Sequence, residues 1–159
     1  MRIRLALALW IAAAAMPAAA QEVYTFLRQE NWSAAGVTTD AVHFVFCAVK
    51  ADGHGDENVW LQLWRPEGPA ELVTVMLGDG HAPPAAAFDI DGVRFQLELN
   101  ANGEFQTSAA DSAAIIGAME QGHHLTLSLE GGGEPKTFVY DLAGFAEARA
   151  AVAKSCGAS

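Results

Sequence analysis

Histidines beside carboxylates are the residues of this sequence with the clearest capacity for chemistry. His54 lies in a glycine-rich acidic loop with Asp52, Asp56 and Glu57, and His81 lies in a second loop of this kind. A neutral imidazole together with carboxylates can ligate zinc or copper. The spacing matches no established ligand signature, and loops of this composition are usually solvated turns. The sequence therefore predicts no bound cofactor, and His54, Asp56 and His81 are kept only as weak candidates for metal ligands.

The established motifs of enzymes are absent from the sequence. It contains no Gly-x-Ser-x-Gly, no His-Glu-x-x-His and no glycine-rich phosphate loop before a helix. Gly131-Gly132-Gly133 joins two predicted strands and is interpreted as a hairpin turn. Carboxylates are plentiful, but the pattern singles out no catalytic pair. We expect that the protein is not an enzyme.

Two tryptophans offer a binding surface instead. Trp60 and Trp64 lie on one face of a predicted strand, and Val59, Leu61 and Leu63 lie on the other. An exposed pair of this kind can anchor a protein partner. The alternative, which the sequence favours, is that both rings fill a hydrophobic core, because large aromatic side chains are mostly buried.

The sequence has two cysteines, Cys47 in a predicted strand and Cys156 at the end of the last predicted helix. An even number of cysteines in an exported chain predicts a disulfide. Such a bond would tie the C-terminus to the sheet and close a long loop. The alternative is a redox-active or metal-ligating thiol, although no Cys-x-x-Cys motif is present.

Residues 1–20 have the three parts of a secretory signal. Arg2 and Arg4 precede an apolar run from Leu5 to Met16, and Ala18-Ala19-Ala20 is a small-residue cleavage site. We expect this segment to be cleaved, leaving a single domain over 21–159 in the periplasm or outside the cell. No second long apolar run follows, so we expect no integral membrane segment after cleavage.

Composition narrows the classes of partner. The 159 residues are 52% hydrophobic and 18% charged, enough apolar content for one domain with a core. Asp and Glu number 19 against 9 Lys and Arg, which gives a net charge of −10. This balance disfavours nucleic-acid binding, which depends on clustered basic residues.

The hydrophobic pattern predicts many strands and two short helices. Asp91-Gly92 and Asn102-Gly103 are typical hairpin turns, so we expect a three-strand meander over 86–107. The remaining predicted strands are 41–49, 59–64, 71–77, one that includes 125–129, and 136–142, and the predicted helices begin at Asp111 or Ser112 and at Gly144. The expected fold is mainly β, an antiparallel sandwich or open barrel covered by two helices, with α+β as the fallback description.

The C-terminal half carries a series of short motifs in a recognisable order. They are Phe88-Asp89-Ile90-Asp91-Gly92, Ile115-Ile116-Gly117-Ala118-Met119-Glu120-Gln121-Gly122, Leu125-Thr126-Leu127-Ser128, and Tyr140-Asp141-Leu142-Ala143-Gly144-Phe145-Ala146-Glu147-Ala148. In this order they resemble the invasion-associated locus B family of exported proteobacterial proteins. The resemblance covers residues 86–150. That family is associated with a cysteine pair between the hairpin and the helix, whereas residues 93–110 contain no cysteine.

The resemblance implies a β-rich periplasmic or surface-associated protein without an established enzymatic activity, acting through an unidentified protein partner. A second hypothesis, from the acidic charge, is a periplasmic inhibitor or immunity protein against a cationic hydrolase. A distant third is a metal-binding periplasmic protein that uses His54 and His81.

Overall fold

The computed structural model describes residues 22–38, 44–52, 59–65, 71–78, 83–131 and 134–156, so the expected signal at 1–20 lies outside the described residues. Within these ranges the chain forms eleven strands and two helices. In chain order they are β1 (Glu22–Gln29), β2 (Trp32–Thr38), β3 (Phe44–Ala51), β4 (Val59–Arg65), β5 (Leu72–Leu77), β6 (Ala85–Ile90), β7 (Val93–Gln96), β8 (Glu98–Leu99), β9 (Phe105–Gln106), α1 (Ser112–Gln121), β10 (His124–Glu130), β11 (Lys136–Asp141) and α2 (Phe145–Cys156).

The described strands form two antiparallel sheets. The larger has seven strands in the order β1-β2-β3-β4-β5-β9-β8, and the smaller has four in the order β11-β10-β6-β7. These sheets do not close into a barrel. The expected mainly β fold with two helices is therefore confirmed, in its sandwich-like form.

The core lies between the inner faces of the two sheets and the helices. On β10, Leu125, Leu127 and Leu129 are buried and alternate with partly exposed polar residues, as expected for a strand with one solvent-facing side. Leu127 lies opposite Phe88 of β6, which is fully buried. The seven-stranded sheet contributes a facing row across β2 to β5, namely Ala34, Val49, Leu63 and Val73, all of them buried.

Neither β1 nor β2 is predicted from the sequence pattern. β2 includes Ala34, Ala35 and Gly36, residue types that are depleted in strands and that hide its alternation. β1 contains an irregularity between Thr25 and Leu27, which shifts the register by one residue and breaks the two-residue period. Both strands are instead stabilised by pairing in the sheet, β1 with β2 and β2 with β3.

The Asp91-Gly92 hairpin is confirmed, but the three-strand meander over 86–107 is wrong. Asp91 has φ 47° and Gly92 has φ 92°, as the two-residue turn between β6 and β7 requires. After β7 the chain leaves the four-stranded sheet at Leu97, which is buried in the core. β8 and β9 then pair with each other and, through β9, with β5 of the larger sheet. The alternation is continuous across Leu97, so sequence alone does not reveal the change of sheet.

The two helices occupy the predicted positions. In α2, Phe145, Ala148 and Val152 are buried, and the helix packs on β1, β2 and β3. Gly144 precedes this helix with φ 86°, and a Cβ there would lie 2.6 Å from the carbonyl oxygen of Gln29, so the close approach requires glycine. Neither helix of the described part of the chain has the length and apolar character needed to span a membrane.

Candidate functional site

The predicted disulfide is confirmed. Cys47 of β3 and Cys156 at the end of α2 are bonded, with their Cα atoms 6.4 Å apart and a sequence separation of 109 residues. The bond fixes the last turn of the C-terminal helix to the middle of the larger sheet. It also leaves no free cysteine, so the alternative of a free redox-active or metal-ligating thiol does not apply.

The candidate metal ligands His54, Asp56 and His81 lie outside the described residues. Asp52, at the beginning of the same acidic loop, is described. Its Oδ1 accepts a hydrogen bond of 3.0 Å from Ser33 Oγ, and its Oδ2 lies 3.3 Å from Arg28 Nε. This carboxylate therefore ties the end of β3 to β1 and β2. Within the described ranges, no three His, Cys, Asp or Glu side chains come together in a way that could hold a metal ion.

Trp60 and Trp64 both lie in β4, as predicted, but their side chains fall outside the described part of the structure. The backbone register pairs Trp60 with Met76, and Trp64 with Ala48 and Leu72. Strand alternation places positions 60 and 64 on the face of β4 opposite the core residue Leu63. Whether the two rings form an anchor or a second core stays a prediction.

A charged cluster centred on Arg149 is the most developed polar site in the described residues, and no motif in the sequence identifies it. Arg149 Nη2 and Nε donate to Glu71 Oε2 at 2.6 and 3.2 Å, and Nη1 donates to Glu120 Oε1 at 2.6 Å. We call these three residues the Arg149 cluster. Because the partners are 78 and 29 residues away in sequence, only the fold brings them together.

The Arg149 cluster joins three elements and lies between two clefts. Arg149 belongs to α2, Glu120 to α1, and Glu71 immediately precedes β5. The cleft on the α1 side has a volume of about 270 Å³, and the cleft on the α2 side has about 330 Å³. Their remaining walls are small or apolar residues and one serine, namely Ala109, Ser112, Ala113, Ile116, Gly117, Ala146, Ala150 and Ala153.

The electrostatics of the cluster favour cations. Hydrogen bonding to Glu71 is the main cause that raises the pKa of Arg149 above its ordinary value; burial opposes it, and hydrogen bonding to Glu120 adds to the increase. Two carboxylates share one guanidinium, so the cluster keeps a net negative charge. Glu71 is the least accessible of the three, with 16% of its side chain exposed, against 30% for Arg149 and 34% for Glu120. The exposed part of the site, at Glu120, would therefore attract a positively charged group.

Two buried hydroxyl groups lie beside the α1-side cleft and are fully occupied. Ser112 Oγ donates to the carbonyl oxygen of Ser108 at 2.7 Å, so in its 2.9 Å contact with Thr107 Oγ1 it accepts. Thr107 Oγ1 in turn accepts from the backbone N–H of Val73 at 3.2 Å. These bonds connect α1 to β5 and involve no general base. Ser112 therefore serves to hold α1 against β5.

Asp91 fixes the β6–β7 turn to the beginning of β10. Its carboxylate accepts hydrogen bonds from the backbone N–H groups of His123 at 2.7 Å and His124 at 3.1 Å. The His123 N–H is the main cause that lowers the pKa of Asp91, and burial opposes it. This polar contact is exposed to solvent, and it holds the β6–β7 turn against the beginning of β10.

The fold and the site together define a disulfide-linked protein of two antiparallel sheets and two helices, with an acidic cluster between the helices. No family model, no curated protein and no solved structure matches the chain. The motifs on which the expected family resemblance rests lie in β6 and its turn, in α1, in β10, and from β11 into α2.

Proposed function

We propose that this chain is an exported protein, periplasmic or secreted, that resembles the invasion-associated locus B family and acts by contact with another protein. The observation that carries the proposal is the disulfide between Cys47 and Cys156. Disulfides form and persist in oxidising compartments and are rare in the cytosol. The three-part pattern of residues 1–20 supports the same destination.

Exposed apolar side chains on the outer strands support a role in protein contact. Val23 of β1 is 69% exposed, Val93 of β7 is 56% exposed and Val139 of β11 is 58% exposed. Each lies on a strand at the edge of its sheet, where backbone groups are also accessible to another protein.

Fractionation of cells that express the full chain tests the proposal. We expect the protein in the periplasm or medium, cleaved before Gln21, oxidised at both cysteines, and associated with a protein partner in native mass spectrometry. Recording the spectrum with and without a chelator also tests the three candidate metal ligands. The control is a variant with Arg2→Glu and Arg4→Glu, which should reduce export. Cytoplasmic protein with an intact N-terminus and free thiols would refute the proposal.

A second candidate function, inhibition of a cationic hydrolase, is favoured by one observation. Glu120 and Glu71 form an acidic cluster beside two clefts on a protein of net charge −10. A basic side chain of a partner would find its charge complement there, and the overall charge would speed the encounter.

Binding to hen lysozyme, used as a basic hydrolase, tests this second function. We expect Glu120→Gln to weaken binding at physiological salt more than Glu134→Gln does, since Glu134 is an exposed carboxylate on the β10–β11 turn. Absence of binding at physiological salt, or equal effects of the two substitutions, would exclude the cluster as the site.

A further inference from the structure

Two turns of the chain consist of an aspartate or asparagine followed by glycine, and the first of them holds its reactive groups. At the β6–β7 turn, the Asp91 carboxylate accepts hydrogen bonds from the backbone N–H groups of His123 and His124. The N–H of Gly92 donates to Asp89 Oδ1 at 2.8 Å. The side chain and the peptide nitrogen that follows it are therefore both occupied.

The second turn, between β8 and β9, leaves the same groups accessible. The side chain of Asn102 is exposed and makes no hydrogen bond to another described residue, while its backbone N–H donates to Asn100 Oδ1 at 2.9 Å. Gly103 is also exposed and has φ 81°, and a Cβ there would meet no atom within 4 Å. Nothing in the described structure therefore crowds the Asn102 amide or the peptide bond that follows it.

We propose that Asn102 is a site of spontaneous deamidation, with water as the co-reactant. The Gly103 nitrogen attacks Cγ of Asn102 and a cyclic succinimide forms. The bond from Cγ to the side-chain nitrogen breaks, and ammonia leaves with the proton of the Gly103 N–H. Water then opens the ring at the Cγ carbonyl, which gives aspartate, or at the main-chain carbonyl, which gives isoaspartate. Glycine permits the attack because it has no Cβ beside the nitrogen.

The hydrogen bond that holds the reacting nitrogen lies in a weak part of the larger sheet. The Gly103 N–H donates to the carbonyl oxygen of Asn100 at 3.1 Å. The adjoining strand β8 consists only of Glu98 and Leu99, both exposed, and lies at the edge of the sheet. Short edge segments open locally at little cost in free energy. Such opening frees the Gly103 nitrogen for the attack on Asn102.

The modification changes the hairpin that completes the larger sheet. Isoaspartate lengthens the main chain inside the turn, which the bond from Asn100 N to the carbonyl oxygen of Glu104 closes at 2.8 Å. Either product also adds a negative charge to the turn that contains Glu104, whose Oε2 accepts from Asn100 Nδ2 at 3.0 Å. The next residue, Phe105, is 1% exposed and pairs with Val75 of β5. Deamidation should therefore loosen β9 on β5.

Peptide mapping by mass spectrometry tests the proposal on the oxidised full-length protein, incubated folded at mildly alkaline pH. We expect the amide at position 102 to become an acid, as separable aspartate and isoaspartate products. Asn102→Gln should abolish this change, because the longer side chain closes the ring poorly. The reaction needs neither export nor a partner, so its outcome is independent of the proposed function.

The matched variant is Asp91→Asn, which places the same asparagine–glycine pair in the β6–β7 turn. We expect position 91 to react about tenfold more slowly than position 102 in the folded protein, because the hydrogen bonds from His123 and His124 must break first. In urea both pairs lose their surroundings and should react at similar rates. Far-UV circular dichroism confirms that the variant is folded.

Hydrogen exchange measures the effect of the modification on the hairpin. The amides of Phe105 and Gln106 should exchange faster in the deamidated protein, and less so in Asn102→Asp, which adds the charge without the longer main chain. Unchanged exchange would overturn the expected loosening of β9.

The deamidation site itself can be refuted in two ways. An intact Asn102 in the folded wild-type protein, after a time in which the unfolded chain has reacted fully, would overturn the proposal. Equal rates at positions 91 and 102 in the folded Asp91→Asn variant would overturn it too, since they would show that the surroundings of the two turns make no difference.

Discussion

The two longest edge strands of the molecule, β1 and β11, have opposite surroundings. Helix α2 packs on β1, β2 and β3, and the Cys47–Cys156 bond and the Arg149 cluster hold this helix in place. β11 pairs with β10 alone among the described strands, and its central valine is exposed. The covalent and ionic ties of the chain therefore secure one side of the fold, the side on which α2 packs. The other side, at β11, is linked to the larger sheet by the hydrogen bond from Trp32 Nε1 to the carbonyl oxygen of Asp141.

Removing the disulfide, which secures α2 on the larger sheet, should cause the largest loss of stability. A bond that closes so long a loop restricts the unfolded chain strongly. We expect the double variant Cys47→Ala and Cys156→Ala to lose about 4 kcal/mol of the free energy of unfolding. Urea unfolding monitored by circular dichroism measures the loss, and the reduced wild-type protein should behave similarly. A loss below about 1 kcal/mol would mean that packing alone holds α2 on the sheet.

Disrupting the Arg149 cluster should cause the next largest loss of stability. Arg149→Met leaves Glu71, a mostly buried carboxylate, without its hydrogen-bonding partner. We expect a loss of about 2 kcal/mol, less than for a fully buried pair because Arg149 is partly exposed. Adding Glu71→Gln to this variant should recover part of the loss, since it removes the uncompensated charge.

Lys154→Met is the control for the Arg149 substitution, because Lys154 is exposed and lies on the same helix. Urea denaturation at low and high salt measures both variants. Equal stability of Arg149→Met and Lys154→Met would show that the cluster does not hold α2, and would weaken the contrast between the two edges.

Features of the fold that depend on a local sequence pattern could be predicted. The disulfide followed from two cysteines in an export context, and the α1 and α2 positions followed from helical spacing and glycine at their boundaries. The sequence pattern did not predict β1 and β2. Their alternation of hydrophobic and polar residues is weak, and both strands depend on pairing with neighbouring strands of the sheet.

The candidate site depends on distant residues and could not be predicted in the same way. Arg149 meets Glu71 only because α2 folds back over the larger sheet, and a charged residue on a helix carries no local sign of such a contact. The transfer of the chain at Leu97 from one sheet to the other is also invisible, since the alternation continues through it.

A smaller loss of stability is expected for a substitution of Trp32, which links the larger sheet to β11 of the smaller one. Trp32 of β2 is fully buried, packs edge-on against Phe145 with ring centres 4.9 Å apart, and donates from Nε1 to the carbonyl oxygen of Asp141 at 2.9 Å. Trp32→Phe keeps an aromatic ring but loses this hydrogen bond. We expect a loss of about 1 kcal/mol.

Hydrogen exchange shows which part of the molecule the Trp32→Phe substitution destabilises. Because Asp141 is the last residue of β11, amides of β11 should exchange faster in this variant, while those of β3 beside the disulfide should change less. Uniform acceleration across both strands would mean that Trp32 supports the whole core and not the link between the two sides.

The smallest effect at neutral pH is expected at Tyr140, on the inner face of β11. Its hydroxyl is buried and has no hydrogen-bond partner among the described residues, and burial raises its pKa to about 12. In the unfolded chain the phenol ionises near pH 10, so the folded state holds the proton more tightly between these values. This group therefore lowers the free energy of unfolding as pH rises from about 10 to 12 and has no such effect below pH 10.

We expect Tyr140→Phe to match the wild type at pH 7 within about 0.5 kcal/mol and to lose less stability at high pH. Tyr24→Phe is the control, since Tyr24 is 43% exposed and the sequence has only two tyrosines. Spectrophotometric titration of the Tyr24→Phe variant then reports Tyr140 alone, and ionisation near pH 10 would show that the inner face of β11 is open to water as well as its edge.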